Sequence, residues 1–286
     1  MSKNHISKNK NKNKKQISKK ERKAAIKKVH EEYGSYKAER GLPKFVTVHK
    51  NSKSSGSGCV EAKSPAIIVP YRDNKFQNRA GQLKQFLAYF AKEYPKGAVY
   101  IVEQSEDSKK FNRGKLLNVG FDLAKKGGHD LFIFHDVDLI PDQKMLEYYT
   151  LNCDGVIHLG HRWKDKYTFE HFLGGVTAMN AKSFEKVNGY PNDRWGWGSE
   201  DDSLMNRVME VGLPVIRPDE GMIKEIEHKP TPNFKELTLE PVQKKRLILK
   251  NLKEESWRKN GLSDLKYKVK GEKGIGKEGK QVVVDI

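Results

Sequence analysis

Two sets of carboxylates have the residue types and the spacing to do chemistry. Residues 200–202 are Glu-Asp-Asp, and they follow Trp-Gly-Trp-Gly-Ser at residues 195–199. Because Trp is too large and Gly too permissive for a regular helix or strand interior, this segment predicts a mobile loop that closes over a bound molecule and brings acids to it. The second set, Asp136 and Asp138, follows the apolar run at residues 131–134. Two carboxylate sets on a basic chain indicate a metal-dependent enzyme that acts on an anionic substrate.

Asp136 and Asp138 have spacing that suits a metal site. Side chains two residues apart on an extended chain point the same way, so these carboxylates would repel each other unless a cation or a proton neutralises them. Carboxylate oxygens suit Mg²⁺ or Mn²⁺, and an imidazole ligand widens the choice towards Mn²⁺. Solvent-facing acids at the end of a strand are the ordinary alternative. His228, far downstream, is by itself an ordinary surface histidine.

The apolar runs alternate between strand and helix patterns, and this alternation positions the first acid pair. It predicts an α/β fold with a mostly parallel sheet covered by helices on both faces. Ligands of such sheets bind at the carboxyl ends of the strands, where Asp136 and Asp138 lie. The predicted strands are residues 65–70, 99–102, 131–134, 215–216 and 281–286, and the predicted helices are residues 77–94, 115–126, 143–149, 204–211 and 235–257.

The charge of the chain is concentrated at its start. The chain has 286 residues and a net charge of +18, and residues 1–30 contain twelve Lys or Arg and one Glu, which gives +11. With few apolar residues and a Ser-Gly-rich stretch at 51–58, we expect residues 1–60 to be a disordered Lys-rich tail and linker, with at most a short helix over 20–33. The folded domain is expected at 61–286. The tail predicts weak polyanion contact, and nucleic-acid binding through it is an alternative function.

The cysteine content and the apolar runs bear on the compartment. Cys59 and Cys153 are too few to indicate an oxidised scaffold in a chain of this length, so we expect two free thiols in a reducing compartment. No run of 18 apolar residues and no signal-peptide core occur, which predicts no membrane span. The expected location is the cytoplasm.

Further residues have types that suit binding and proton transfer. Arg72 follows the first predicted strand, and Arg113 and Lys115 open a predicted helix, where basic groups can meet phosphate oxygens; common surface charge is the alternative. One acid of the 200–202 run can cap a helix expected to begin at Ser203, and another can act as a general base towards a hydroxyl.

Several longer motifs, in a fixed order, resemble those of the animal β-1,4-galactosyltransferases, which are glycosyltransferases of family seven with the GT-A fold. The resemblance covers about residues 65 to 286. The motifs lie at residues 67–72 (IIVPYR), 111–121 (FNRGKLLNVGF), 136–141 (DVDLIP), 174–176 (GGV), 188–191 (NGYP), 195–202 (WGWGSEDD), 206–207, 217–218 and 261–267.

The resemblance implies an inverting transfer of galactose from UDP-galactose to the hydroxyl of a sugar or glycan acceptor, with Mn²⁺ as cofactor. Asp201 matches the family's catalytic base, and Asp138 and His228 match its metal ligands. Glu200, Asp202 and Phe172 match acceptor-binding positions. The positions implied for donor binding are Pro70, Tyr71, Arg72, Phe111, Arg113, Asp136, Val137, Gly175 and Trp197.

Some positions depart from the family pattern. The family's third metal ligand falls at residues 225–226, where Glu225 is our candidate, and a carboxylate there makes Mg²⁺ more competitive. Asn74 stands where many members have a second Arg, for which Arg79 can compensate. Leu131 stands where many members have a disulfide cysteine. Phe172 occupies the position that limits donor size, which favours galactose over the alternative donor, UDP-N-acetylgalactosamine.

Overall fold

The computed structural model describes residues 19–49, 59–95, 97–163, 172–196, 198–227, 240–276 and 279–286. Within these residues the helices are α1 (Lys19–Arg40), α2 (Arg79–Glu93), α3 (Arg113–Lys126), α4 (Gln143–Leu146), α5 (Ala181–Lys186), α6 (Glu200–Glu210) and α7 (Glu240–Lys253). The strands are β1 (Phe45–Val48), β2 (Val60–Glu61), β3 (Pro65–Tyr71), β4 (Ala98–Gln104), β5 (Leu131–His135), β6 (Leu139–Pro141), β7 (Leu151–Asn152), β8 (Val156–His158), β9 (Val176–Asn180), β10 (Val215–Pro218), β11 (Ile223–Glu225), β12 (Lys268–Ile275) and β13 (Gly279–Asp285).

A large mixed sheet forms the centre of the domain. In the described part of the chain it has nine strands in the order β1-β10-β8-β9-β5-β3-β4-β13-β12. Most neighbours are parallel; β9 runs antiparallel to both β5 and β8, and β12 runs antiparallel to β13. The predicted α/β fold with a mostly parallel sheet is confirmed, as is the closing strand near the C-terminus.

Strand β3 shows why the sheet is stable. All seven of its residues are buried. Ile68 packs in the cluster that includes Leu117 of α3, whereas Ile67 packs in the cluster that includes Phe86 and Phe90 of α2, so the two helices cover opposite faces. Full burial of an Ile side chain contributes about 1.5–3 kcal/mol. Because β5 pairs with β3, this packing also fixes the strand end that leads to the acid pair.

The N-terminal segment is more ordered than the sequence predicted. Helix α1 buries Tyr33 and Tyr36 against α7, its Val29 is also buried, and β1 pairs with β10, with Phe45 beside Val215. The expectation of a disordered tail over residues 1–60, with at most a short helix at 20–33, therefore differs from the structure in two ways: the helix continues to Arg40, and β1 joins the sheet of the domain. The prediction failed because it gave more weight to the charged composition of this segment than to its few apolar residues at helical spacing. Residues 1–18 and 50–58 lie outside the described residues, so the polyanion contact stays a prediction.

The cysteines also differ from the expectation. Cys59 and Cys153, 94 positions apart, form a disulfide beside the β2–β7 pair. The expectation of two free thiols is wrong because strands distant in sequence bring the sulfurs together. Disulfides persist in oxidising compartments, which counts against the argument for a cytoplasmic location, and that location stays a prediction. Among the described helices, none has the length and apolar character required to cross a bilayer.

Candidate active site

The two acid sets meet at one edge of the sheet. Asp136 follows the carboxyl end of β5, and Asp201 lies in the first turn of α6. Between them is Arg113, the first residue of α3. The N-termini of two helices thus meet the end of a parallel strand, which is where a ligand site is expected in this kind of sheet.

Arg113 joins the two acid sets through a single guanidinium. Its Nε donates to Asp136 Oδ1 at 2.7 Å, and its Nη1 donates to Asp201 Oδ1 at 2.9 Å. Glu200 Oε1 lies 3.7 Å from the same Nη1. The Arg113 side chain is 13% exposed, so these contacts are shielded from solvent. The fork geometry of Arg suits such a bridge better than the single ammonium of Lys.

The charges at this bridge shift the proton affinities of the groups. Burial raises the pKa of Asp201 well above its ordinary value, and the neighbouring carboxylates of Glu200, Asp136 and Asp202 raise it further, although Arg113 opposes them. Burial also raises the pKa of Asp136, again against the effect of Arg113. A carboxylate with a raised pKa is a better proton acceptor near neutral pH, which suits a general base.

Helix α6 begins earlier than the sequence predicted. Its first turn contains Glu200, Asp201 and Asp202, and the residue that precedes them, Ser199, has φ of 80° and makes no side-chain capping bond. The expected start at Ser203, with an acid as the cap, is therefore wrong. All three carboxylates lie at the positive end of the helix dipole, which favours negative charge.

The segment around Gly174 separates Asp201 from Phe172. A Cβ built on Gly174 would lie 2.0 Å from Phe172 Cζ and 2.7 Å from Asp201 Oδ2, so any larger residue would force one of these side chains to move. Gly175 has φ of 81°, a region that favours glycine, and its carbonyl accepts a hydrogen bond from the Asp136 amide at 3.1 Å. The predicted donor position Gly175 and acceptor position Phe172 thus flank the acids.

Asp138 lies beside a different cation. Arg79 Nη1 of α2 donates to Asp138 Oδ2 at 2.8 Å, and the Asp138 side chain is 11% exposed. From the sequence, Arg79 was expected to compensate for the Arg that many family members have in place of Asn74. No sequence signal predicted its contact with Asp138. The guanidinium occupies one oxygen of the Asp138 carboxylate, so a metal ion bound to that oxygen would have to displace it.

The distal metal-binding segment runs alongside Asp138. The Ile226 amide donates to the Asp138 carbonyl at 2.7 Å, and β11 pairs with β6 so that Glu225 lies opposite Leu139. The chain that leads to His228 therefore passes next to Asp138. His228 itself lies outside the described residues. In the described part of the chain, no three His, Cys, Asp or Glu side chains form a group able to hold a metal, so the ligand set stays a prediction.

Two family models match most of the chain. One, described as the N-terminal region of glycosyl transferase group 7, matches residues 10–153, and the other, described as the N-terminal domain of galactosyltransferase, matches residues 156–229. The chain belongs to glycosyltransferase group 7.

Curated relatives of this group 7 chain have related sequences over much of its length. It is 33% identical to mouse β-1,4-galactosyltransferase 1 over 78% of this chain and 55% of the relative. It is 38% identical to mouse β-1,4-galactosyltransferase 5 over 59% of this chain and 44% of the relative. The chain thus spans about half the length of the curated relatives it matches.

Solved structures of a Drosophila relative share the fold of this group 7 chain. The catalytic domain of Drosophila β-1,4-galactosyltransferase 7 in complex with xylobiose aligns with a TM-score of 0.61 and 27% identity, over 77% of this chain and 93% of that one. A mutant of the same enzyme, in complex with manganese, UDP-Gal and xylobiose, aligns with a TM-score of 0.58 and 26% identity over the same shares. These likenesses confirm the predicted GT-A fold.

Other residues predicted to bind the donor in this group 7 chain lie outside the bridge that Arg113 forms with Asp136 and Asp201. Arg72 holds the loop after β4, because its Nη1 donates to the Lys109 carbonyl at 2.7 Å and its Nη2 to Asp107 Oδ1 at 2.7 Å. The Phe111 carbonyl accepts a bond from the Gly196 amide at 2.7 Å. Pro70 and Tyr71 end β3, and Val137 is buried between the two acids; Trp197 lies outside the described residues.

Asn112 is a positioning residue that the sequence reasoning missed. Its side chain accepts a hydrogen bond from the Lys115 amide at 3.0 Å and so caps α3 directly before Arg113. Its Nδ2 donates to the Asn192 carbonyl at 2.8 Å, which ties the start of α3 to the segment before α6. Asn is a preferred N-cap residue, so its position before a helical pattern was a usable signal.

Proposed function

We propose that the chain is a metal-dependent, inverting galactosyltransferase that moves galactose from UDP-galactose to a hydroxyl of a sugar or glycan acceptor. The Arg113 bridge is the observation that carries the proposal, because it joins Asp136, assigned to the donor, to Asp201, assigned as the base. The relatives named galactosyltransferases support the donor, and the Drosophila complex with manganese, UDP-Gal and xylobiose supports the ligand classes.

Asp201 would take the proton of the acceptor hydroxyl while the acceptor oxygen attacks the anomeric carbon from the face opposite to UDP. The bond from galactose to UDP breaks, and UDP leaves with the electron pair. General-base assistance of this kind contributes about 10²- to 10⁴-fold to the rate. The raised pKa of Asp201 suits the role, and Arg113 would orient its carboxylate.

The residues present fit a divalent cation. Asp138 offers a largely buried carboxylate, although Arg79 occupies its Oδ2, and the strand before His228 runs beside it, so Asp138, His228 and Glu225 would hold the metal. When bound, Mn²⁺ supplies positive charge that stabilises the leaving diphosphate. The oxygen of Glu225 would allow Mg²⁺ to compete.

The test uses the purified full chain with Mn²⁺ and either UDP-galactose or UDP-N-acetylgalactosamine. The acceptors are xylosides and N-acetylglucosaminides, and mass spectrometry measures the product. We expect galactose transfer, faster than N-acetylgalactosamine transfer because Phe172 lies at the site, and loss of transfer in Asp138→Ala. Asp154→Asn, which changes an exposed acid, is the matched control. Absence of both transfer and Asp138-dependent donor hydrolysis would contradict the proposal.

A further inference from the structure

Two tyrosines of α1 form hydrogen bonds with α6, the helix whose first turn contains the acids. Asn206 Nδ2 donates to the Tyr33 hydroxyl at 2.8 Å, and the Tyr36 hydroxyl donates to Glu210 Oε1 at 2.5 Å. Tyr33 and Tyr36 are 5% and 6% exposed. Since buried hydrogen bonds are costly to break, the N-terminal helix is fixed to α6 at two points along its length.

The hydrogen bond between Tyr33 and Asn206 connects α1 to the acidic residues 200–202. Asn206, which is 2% exposed, also donates from Nδ2 to the backbone carbonyl of Asp202 at 2.7 Å. Burial, together with the nearby Asp202 carboxylate, raises the pKa of Tyr33 above its ordinary value, so the hydroxyl stays protonated. The Tyr36 contact lies at the other end of α6, far along the helix from the acids.

The first turn of α6 needs support from its neighbours. Ser199 makes no capping bond, and its Oγ is buried with no hydrogen-bond partner among the described residues. An uncapped start weakens a helix, so the orientation of this turn depends on contacts from other elements. Arg113 of α3 supplies one such contact, to Asp201. Tyr33 of α1 supplies another through Asn206, a residue of α6 whose Nδ2 donates both to the Tyr33 hydroxyl and to the Asp202 carbonyl.

We infer that Tyr33 is a positioning residue for the acceptor: through Asn206 it holds the turn that contains Asp201 and Asp202 in the orientation that acceptor binding requires. The inference rests on the proposed transferase function, because that function assigns these acids to the acceptor and its proton. Helix α1 then belongs to the acceptor half of the site.

The experiment compares Tyr33→Phe with Tyr36→Phe in the full chain. Each variant loses one hydroxyl of the same helix, but only the Tyr33 hydroxyl is linked, through Asn206, to the turn that contains Asp201 and Asp202. We expect Tyr33→Phe to raise the acceptor KM roughly three- to tenfold, the loss expected for one hydrogen bond, with the UDP-galactose KM unchanged. Tyr36→Phe should leave both KM values unchanged. Hydrogen exchange of the amides of residues 201–206 should accelerate in Tyr33→Phe alone.

A second variant keeps the inference falsifiable if Tyr33→Phe does not fold. Asn206→Ala removes the same link from the α6 side and should give the same rise in acceptor KM, and the double variant should be no worse than Asn206→Ala. Equal acceptor KM values and equal exchange rates in the Tyr33 and Tyr36 variants would overturn the inference. If the unaltered chain transfers nothing, the proposed function fails, while the exchange comparison still decides whether Tyr33 holds the turn.

Discussion

Arg113 donates from Nη1 to Asp201 at 2.9 Å, although the two residues are 88 positions apart. The same guanidinium donates from Nε to Asp136 at 2.7 Å. One side chain therefore sets the distance between the acid that follows β5 and the acid that begins α6. Any change in the position of Arg113 is transmitted to both.

Replacement of Arg113 by Lys should lower activity strongly. An ammonium cannot bridge two carboxylates as a fork does, and each charge-assisted hydrogen bond contributes about 1.5–3 kcal/mol. We expect kcat/KM to fall roughly 10- to 100-fold in steady-state assays. Arg258→Lys, at an exposed arginine, is the control. Activity equal to that of the control would show that the bridge has no catalytic role.

Activity should depend on the ionisation of Asp201. Its pKa is raised, so the basic form is lost at a higher pH than for an ordinary Asp, and kcat/KM should fall as pH decreases through that raised value. The effect on stability has the opposite direction. A raised folded-state pKa stabilises the protein below the unfolded-state pKa, and this contribution is lost as pH rises through the folded-state value.

The Asp201→Asn variant separates these two effects. It should lose about 10²- to 10⁴-fold in kcat. Its Tm relative to the unaltered chain should increase as pH rises through the same window. Thermal melts and pH–rate profiles measure both quantities. If kcat/KM of the unaltered chain fell only near the ordinary pKa of Asp, the assignment of Asp201 as a general base with a raised pKa would be contradicted.

Gly174→Ala should disturb the acceptor side of the site. Its Cβ would overlap Phe172 Cζ at 2.0 Å and approach Asp201 Oδ2 at 2.7 Å, so one of the two side chains must move. Overpacking of this kind costs about 1–3 kcal/mol. We expect a lower Tm and a higher acceptor KM. Gly271→Ala, where a Cβ would meet nothing within 4 Å, is the matched control; identical behaviour of the two variants would argue against a packed Gly174.

Arg79 should compete with the metal for Asp138. Its guanidinium occupies Oδ2 and adds a positive charge next to any bound cation. Arg79→Gln should therefore bind Mn²⁺ several-fold more tightly in the absence of nucleotide, as measured by calorimetry. Asp138→Ala, measured in parallel, should lose this binding. Weaker Mn²⁺ binding in Arg79→Gln would instead show that Arg79 supports the metal site.

Local patterns predicted the parts of the site that depend on short segments. The apolar run before Asp136 and the alternation of strands and helices placed the first acid pair correctly at the end of β5. The motif order also predicted the family and the GT-A fold. The placement of the acid pair depends on periodicity and on neighbours in the chain, which a single sequence contains, whereas the family and the GT-A fold came from the resemblance of the motifs to a known family.

Contacts between distant segments were not predictable in the same way. The Arg79–Asp138 pair and the Cys59–Cys153 disulfide depend on how α2, β2 and β7 pack, and no local signal encodes them. The full extent of helix α1 was missed, since only a short helix over residues 20–33 was expected, because its apolar positions, among them Val29, Tyr33 and Tyr36, are few among many lysines. The predicted sharing of one metal by Asp138 and His228 concerns a residue outside the described part of the chain.

The pairing of β1 with β10 has a practical consequence for recombinant work. A shortened chain that begins at Cys59, where the Ser-Gly stretch ends, would lack both β1 and α1. Strand β10 would then present bare backbone amides and carbonyls along its length, and α7 would expose Ile248, Leu249 and Leu252. Uncovered strand edges and apolar faces promote aggregation, so residues 19–48 are best retained for soluble expression.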